Sequence, residues 1–398
     1  MARWFRFAMV VAALGLLLPA IAAQGQASTG NLYGKVVDEQ GGVLPGVSVT
    51  LTGQGAPQTT FTDSRGEFHF LNLSVGAYNV SVALQGFTTV DRQGVIVSLG
   101  QNTNITVPLK ISSVAATVTV SGETPVLDPR KTTSGSNFQL AELKEIPTGR
   151  DPWTIINQVP GVQMDRLNVA GNQSGQQAVY IGMGTDSSQN SFNMDGVTIT
   201  DMAALGSSPA YYDFDQFQEI QVATGGTDPS VAVPGVTLNL VTKRGTNEPH
   251  GSARYFVSPG ELQAHNIPQE AKDQGFTNAQ MNHICFANCK GAGAGIQDYG
   301  VEAGGALWQD KAWLWGSYGR KEIPLTAFGG ASDTTYLDDY AGKLNIQPIS
   351  SNSGTVFYFR GGKSKLGRSA GLTRPQETSV DQTGPTTIWK GEDSQVFG

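Results

Sequence analysis

The sequence predicts a mainly β protein: a small β-sandwich, then an α+β region, then the first strands of an antiparallel transmembrane β-barrel. Three observations carry this reading. Apolar and polar residues alternate with a period of two in many short runs, as half-buried strands require, because successive side chains point to opposite faces. Glycine occurs 50 times in 398 residues, where average usage gives roughly 28, and the runs are bounded by Gly, Asn, Asp and Pro turn signals. Charged residues make up only 15% of the chain, against about 25% in an ordinary soluble domain.

The same composition excludes several classes. A net charge of −7 with 39% hydrophobic residues argues against a coiled coil, a disordered acidic tail and a basic nucleic-acid binder. The length suggests about two or three domains.

Residues 1–23 read as an export signal. Arg3 and Arg6 precede an apolar run from Phe7 to Leu18, and Ala20-Ile21-Ala22 supplies a small-x-small pattern, which places cleavage near Ala22 or Ala23. The apolar run is shorter than the ~20 residues a membrane helix needs. With no second long apolar run, the mature chain meets a membrane only as a surface binder or a β-barrel.

Residues 30–110 contain alternating runs at Leu32 to Val37, Val47 to Leu51, Phe68 to Phe70, Tyr78 to Val82 and Ile105 to Val107. They predict a small antiparallel sandwich. The wording is more specific. Gly34-x-Val36-x-Asp38, Leu44-Pro45-Gly46-Val47-x-Val49, Thr62-Asp63-x-x-Gly66-x-Phe68, Leu73-x-x-Gly76-x-Tyr78 and Gly86-Phe87 resemble, in this order, the carboxypeptidase regulatory-like domain. The resemblance implies a transthyretin-like sandwich, grouped with carbohydrate-binding-like folds. It does not imply an enzyme. A peptidase zinc site needs an H-x-x-E pair, whereas His69, His250, His265 and His283 are followed at +3 by Asn72, Ala253, Pro268 and Phe286.

Residues 111–122 form a linker whose β-prone run Val114 to Ser121 precedes Pro125 and Pro129. This run reads as a last sandwich strand, as a plain linker, or as an exposed strand that adds to a partner's sheet.

Residues 123–245 hold a different mixture. Leu140-x-x-Leu143 and Trp153-x-x-Ile156 give short helical periods ending near Val159-Pro160-Gly161. Ala178 to Gly184, Asn190 to Val197, Phe217 to Gly225 and Val236 to Gly245 follow as strand-like phrases. Their succession resembles the plug domain of TonB-dependent outer-membrane receptors, in particular the Oar-like group, where a regulatory-like sandwich precedes the plug. Asp195-Gly196 reads as a turn at a strand end. Asp213 and Asp215 fit a solvated loop equally well.

Residues 246–398 return to alternation, with about six candidate strands. Val301, Ala303 and Leu307, and then Tyr340, Leu344 and Ile346, alternate with small or polar residues, as the wall of a membrane barrel requires. Trp308, Trp313 and Trp315 flank the Gln309-Asp310-Lys311 turn and suggest an interfacial aromatic girdle. Connections over residues 258–298 and 362–388 are expected to be long outer loops. The first holds Cys285 and Cys289, for which a disulfide is the default in an exported chain. A metal site is the alternative, but two thiolates and His283 leave zinc a ligand short. Gly362-Lys363-Ser364 lacks the leading glycine of a phosphate loop, and Gly291 to Gly295 lacks the spacing of a dinucleotide fingerprint.

The resemblance implies energised uptake without catalysis, cofactor or resident metal. Its implied partners are a TonB-type energy-transducing complex of the inner membrane, outer-membrane lipid, and an extracellular glycan, chelate or peptide; nucleic acid is not among them. It places the chain in the outer membrane with the sandwich in the periplasm, and the barrel as incomplete. The segment Ala116, Thr117, Val118, Thr119, Val120 and Ser121 is then the candidate TonB contact. The competing reading is a secreted or surface carbohydrate-binding sandwich without transport.

Overall fold

A computed structural model describes residues 29–112, 117–121, 134–226, 233–264, 266–277, 281, 283–285, 295–349 and 351–395. The fold is mainly β. The expected signal, with Ala22 and Ala23, lies outside the described residues.

The first eight strands are β1 (Thr29–Asp38), β2 (Ser48–Thr52), β3 (Gln58–Phe61), β4 (Glu67–Ser74), β5 (Gly76–Ala83), β6 (Thr89–Val97), β7 (Asn102–Leu109) and β8 (Thr117–Ser121). They form two sheets, in the orders β4-β1-β7 and β3-β2-β5-β6-β8. The core between the sheets is built from the alternating positions, among them Leu32, Val36, Val49, Val80, Val82, Ile105 and Val107. Gly34 is required where it stands: a Cβ there would lie 2.1 Å from the Phe68 ring, which packs across β1. One expectation is corrected. The sandwich is not purely antiparallel, because β7 pairs parallel with β1 and β8 parallel with β6.

The next unit contains β9 (Ser134–Gln139), α1 (Leu140–Glu145), α2 (Pro152–Ile156), β10 (Val162–Met164), β11 (Tyr180–Gly182), β12 (Ser191–Met194), β13 (Val197–Thr198), β14 (Phe217–Gly225) and β15 (Thr237–Thr242). Its main sheet has the order β13-β12-β15-β14-β9. Helix α2 starts where Asp151 accepts a hydrogen bond from the Thr154 N–H at 2.9 Å and Pro152 occupies the first helical turn, both favourable at a helix N-terminus. Asp195 and Gly196 have φ of 47° and 78° and turn β12 into β13, a conformation that favours this dipeptide.

The last region comprises β16 (His250–Ser258), α3 (Gln269–Asp273), β17 (His283–Ile284), β18 (Ile296–Trp308), β19 (Ala312–Thr326), β20 (Ser332–Ile349), β21 (Asn352–Arg368) and β22 (Val380–Gln395). Six of these strands form the continuous path β16-β18-β19-β20-β21-β22, with β17 beside β19. One face exposes Val301, Leu307, Leu314, Tyr340, Ile346 and Val356, while Trp313, Trp315, Lys343, Phe357 and Phe359 are buried on the other. The buried face packs on the middle unit: Trp315, Phe357, Phe359 and Ile388 share one apolar cluster with Trp153, Phe192, Phe217 and Leu240. The middle unit is therefore a plug seated on the inner wall of curved strands. Among the described residues no helix is long and apolar enough to cross a membrane.

Two local expectations change. Only Trp308 lies on the outward face; Trp313 and Trp315 are fully buried and donate their indole N–H groups to Asn247 and Glu302 at 2.8 and 3.2 Å. Inward positions of an empty lumen must be polar, but here the plug fills the space and aromatic rings pack against it. Outward rings do meet further along the strands, Tyr318 tilted against Tyr340 with centroids 5.0 Å apart. The expected long loop over 362–388 shrinks to residues 369–379, because Gly362 to Arg368 and Val380 to Ile388 continue as paired strand. Their Gly, Ser, Thr and Pro content reads locally as loop, yet cross-strand pairing determines the backbone.

Candidate functional site

The candidate TonB contact falls on β8. Residues Thr117 to Ser121 pair in parallel with Thr89 to Gln93 of β6, Val118 opposite Val90. The side chains of Thr117, Val118 and Thr119 are exposed, so main-chain pairing dominates their hold on the sandwich. Strand β8 is the last in its sheet. Ala116 lies outside the described residues, as do the side chains of Val120 and Ser121.

The plug is held in its seat by buried charges at two places. At the first, Asp195 of the β12–β13 turn meets Lys343 of β20, with Nζ to Oδ1 at 3.0 Å. The carboxylate also accepts from the Thr242 N–H at 3.1 Å and the Thr242 hydroxyl at 2.5 Å. Lys343 donates to the Thr242 carbonyl at 3.0 Å, and Lys390 of β22 donates to the Asp195 carbonyl at 2.5 Å. Nearby, Lys243 pairs with Glu302 of β18 at 2.6 Å.

At the second place, Asp213 and Asp215 of the plug face Arg254 of β16 and Asp298 of β18. Arg254 pairs with Asp213, with Asp215 at 2.5 Å and with Asp298 at 3.3 Å. Arg150 of the plug pairs with Asp215 and reaches Asp298 at 3.2 Å. Lys321 of β19 donates to the Gly149 carbonyl at 2.6 Å and the Ser174 hydroxyl at 2.9 Å. Asp213 is thus no solvated loop residue. Burial pushes its carboxyl up to about 6, against the pull of Arg254, and among the described residues its Oδ2 has no hydrogen-bond partner. These pairs were invisible in the sequence, since Arg150 and Asp298 are 148 positions apart.

The sandwich sits at the end of the wall with the short turns, where the Ala56 N–H donates to Gln347 at 3.3 Å. Arg244, beyond β15, reaches the Ser74 hydroxyl, and burial lowers its pKa. At the opposite end a cavity of about 530 Å³ opens between the plug and the strand ends. Its lining includes Gln173 and Gln176 of the plug, and Gln263, His283, Asp333 and Lys365 of the wall. Lys365 and Asp333 form a 2.8 Å ion pair there. These polar groups, set among Val169, Leu262, Ile284 and Leu325, suit a solute carrying both hydrogen-bonding and apolar groups. Beside it, Cys285 is disulfide-bonded; the chain's other cysteine, Cys289, lies outside the described residues. No group of three or more metal-ligating side chains occurs among the described residues.

The comparisons with known proteins follow this architecture. The carboxypeptidase regulatory-like domain matches residues 31–110. The chain is 27% identical over 326 residues to the TonB-dependent transporter Oar of Myxococcus xanthus, covering 78% of this chain and 28% of that protein. It thus spans well under a third of the length of that relative. Among solved structures, the siderophore receptor PirA from Acinetobacter baumannii is similar at 15% identity, with 58% of this chain and 32% of that one covered and a TM-score of 0.43. The outer membrane transporter YddB from Escherichia coli is similar at 14% identity, with 58% and 33% covered and a TM-score of 0.44. The resemblance drawn from the sequence, to TonB-dependent receptors of the Oar-like group carrying a regulatory-like domain, is borne out.

Proposed function

From a chain that carries a carboxypeptidase regulatory-like domain and is similar to a TonB-dependent transporter, we propose that it belongs to an outer-membrane machine for energised uptake. The observation that carries this reading is the plug: its apolar core continues into Trp315, Phe357 and Phe359 of strands whose other face exposes Leu314, Ile346 and Val356. A wall that is apolar outward and occupied inward suits lipid on one side and a gate on the other. The cavity lined by Gln173, Gln263 and Lys365 lies on the extracellular side and receives a glycan, chelate or peptide. The sandwich, beside the short turns, lies in the periplasm. Segment 116–121 is the strand on which the inner-membrane energy transducer adds, and a pull there reaches β9 through residues 122–133. The chain performs no catalysis and needs no cofactor. Glycan recognition by the sandwich is a secondary part of the reading, supported by its fold group alone.

Density-gradient fractionation of the cell envelope tests the setting. The protein is expected in the outer-membrane fraction and is expected to require detergent for release. Recovery in the aqueous phase after osmotic shock would favour the secreted carbohydrate-binding alternative instead.

A further inference from the structure

Where the sandwich, β9 and β14 meet, one fully buried carboxylate serves all three. Glu219 of β14 accepts from the Leu99 N–H, in the sandwich turn between β6 and β7, at 3.0 Å. It also accepts from the Asn137 amide of β9 at 2.6 Å and from the Gln139 amide of β9. Gln139 donates in turn to the Ser98 hydroxyl of the sandwich at 3.0 Å. On the next inward position Gln221 donates to the Leu99 carbonyl at 3.0 Å, so plug side chains hold both the N–H and the C=O of Leu99. The register is matched: Glu219 lies opposite Gln139, and Gln221 opposite Asn137. Val75, Leu99 and Val241 form a small apolar cluster at the same contact.

We infer that Glu219 is a positioning residue that makes sandwich docking and β9 seating a single cooperative event. Among the described residues, strand β9 is the edge of the plug sheet and pairs with β14 alone. Lifting it removes two amide donors from Glu219 and opens the carboxylate to water. The Leu99 N–H then competes with solvent for an acceptor it had held in a dry site, and the contact weakens. The coupling is reciprocal: undocking Leu99 leaves a buried carboxyl with fewer donors and loosens β9. Strand β9 is also the first described plug element after the candidate docking strand. If the pull described under the proposed function is correct, and only for this step does the inference rest on it, drawing β9 out also releases the sandwich from beneath the plug.

Hydrogen exchange of the full chain in detergent, read by mass spectrometry, tests the coupling without any partner. The Asn137→Ala/Gln139→Ala double variant is expected to speed exchange across residues 97–101 by roughly tenfold or more. The sandwich core around Val80 and Val107 should keep its protection. Glu219→Gln, which keeps the shape and turns one of the two accepting oxygens into a donor, is expected to speed both residues 97–101 and β9, and Ser98→Ala to speed β9 to a smaller degree. Unchanged exchange at 97–101 in the double variant would overturn the inference, as would β9 exchange unaffected by Glu219→Gln. Neither result bears on whether a transducer engages β8, so the two readings fail separately.

Discussion

Replacing Lys343 by alanine is expected to destabilise the seated plug by about 3–5 kcal/mol, the usual cost of removing one partner from a buried ion pair. Lys343 is the cation 3.0 Å from Asp195, and both side chains are almost fully buried. Thr242 would still donate two hydrogen bonds to the carboxylate, but these offset only part of a buried charge. The double replacement Asp195→Asn/Lys343→Met should recover most of the loss, because it removes both charges and nearly preserves volume. Urea unfolding of the detergent-solubilised chain, followed by the fluorescence of its tryptophans, measures each variant. A single-variant cost under about 1 kcal/mol, the range of an exposed pair, would mean that the plug is not held through this contact.

Arg254→Leu is expected to have an effect of similar size, about 3–5 kcal/mol at pH 7.5, and to depend on pH through Asp213. It leaves Asp213, Asp215 and Asp298 facing one another, with Arg150 still paired to the latter two. Asp213 already sits at about 6 in the folded chain, above its ordinary 3.8. A carboxyl raised in this way contributes stability that is fully present below the unfolded value and lost as pH rises through the folded one. The native plug should therefore gain about 1–1.5 kcal/mol from this group between pH 7 and pH 5. Without Arg254 the carboxyl moves higher still, so the variant's deficit should shrink by about 1 kcal/mol over the same interval. Parallel unfolding curves at the two pH values check this, and a deficit independent of pH would remove Asp213 from the account.

The alternating strands of the sandwich were legible because each is half-buried and local: Val47 to Leu51 and Tyr78 to Val82 sit in the core as their pattern requires. The outward face of the wall was legible for the same reason, in Val301, Tyr340 and Ile346. What faces inward was harder to read. Lys343 could be assigned to the polar face, but its partner Asp195 lies 148 positions away and looked like an ordinary turn residue. Trp313 and Trp315 suggested a membrane interface because their burial depends on a separate unit filling the lumen. Strand β8 was ambiguous in principle: a β-branched, uncharged run suits a sheet edge in its own domain and a sheet edge in a partner equally well.

That ambiguity points to the measurement on which the account turns. A photoreactive residue placed at Val118, in cells that carry the inner-membrane energy transducer, is expected to crosslink to that transducer. The same residue at Thr59, on the far edge strand β3, is expected not to. Crosslinks from position 118 confined to β6 and the rest of the sandwich, with none to the transducer in energised cells, would contradict the assignment of segment 116–121 as the point where energy enters.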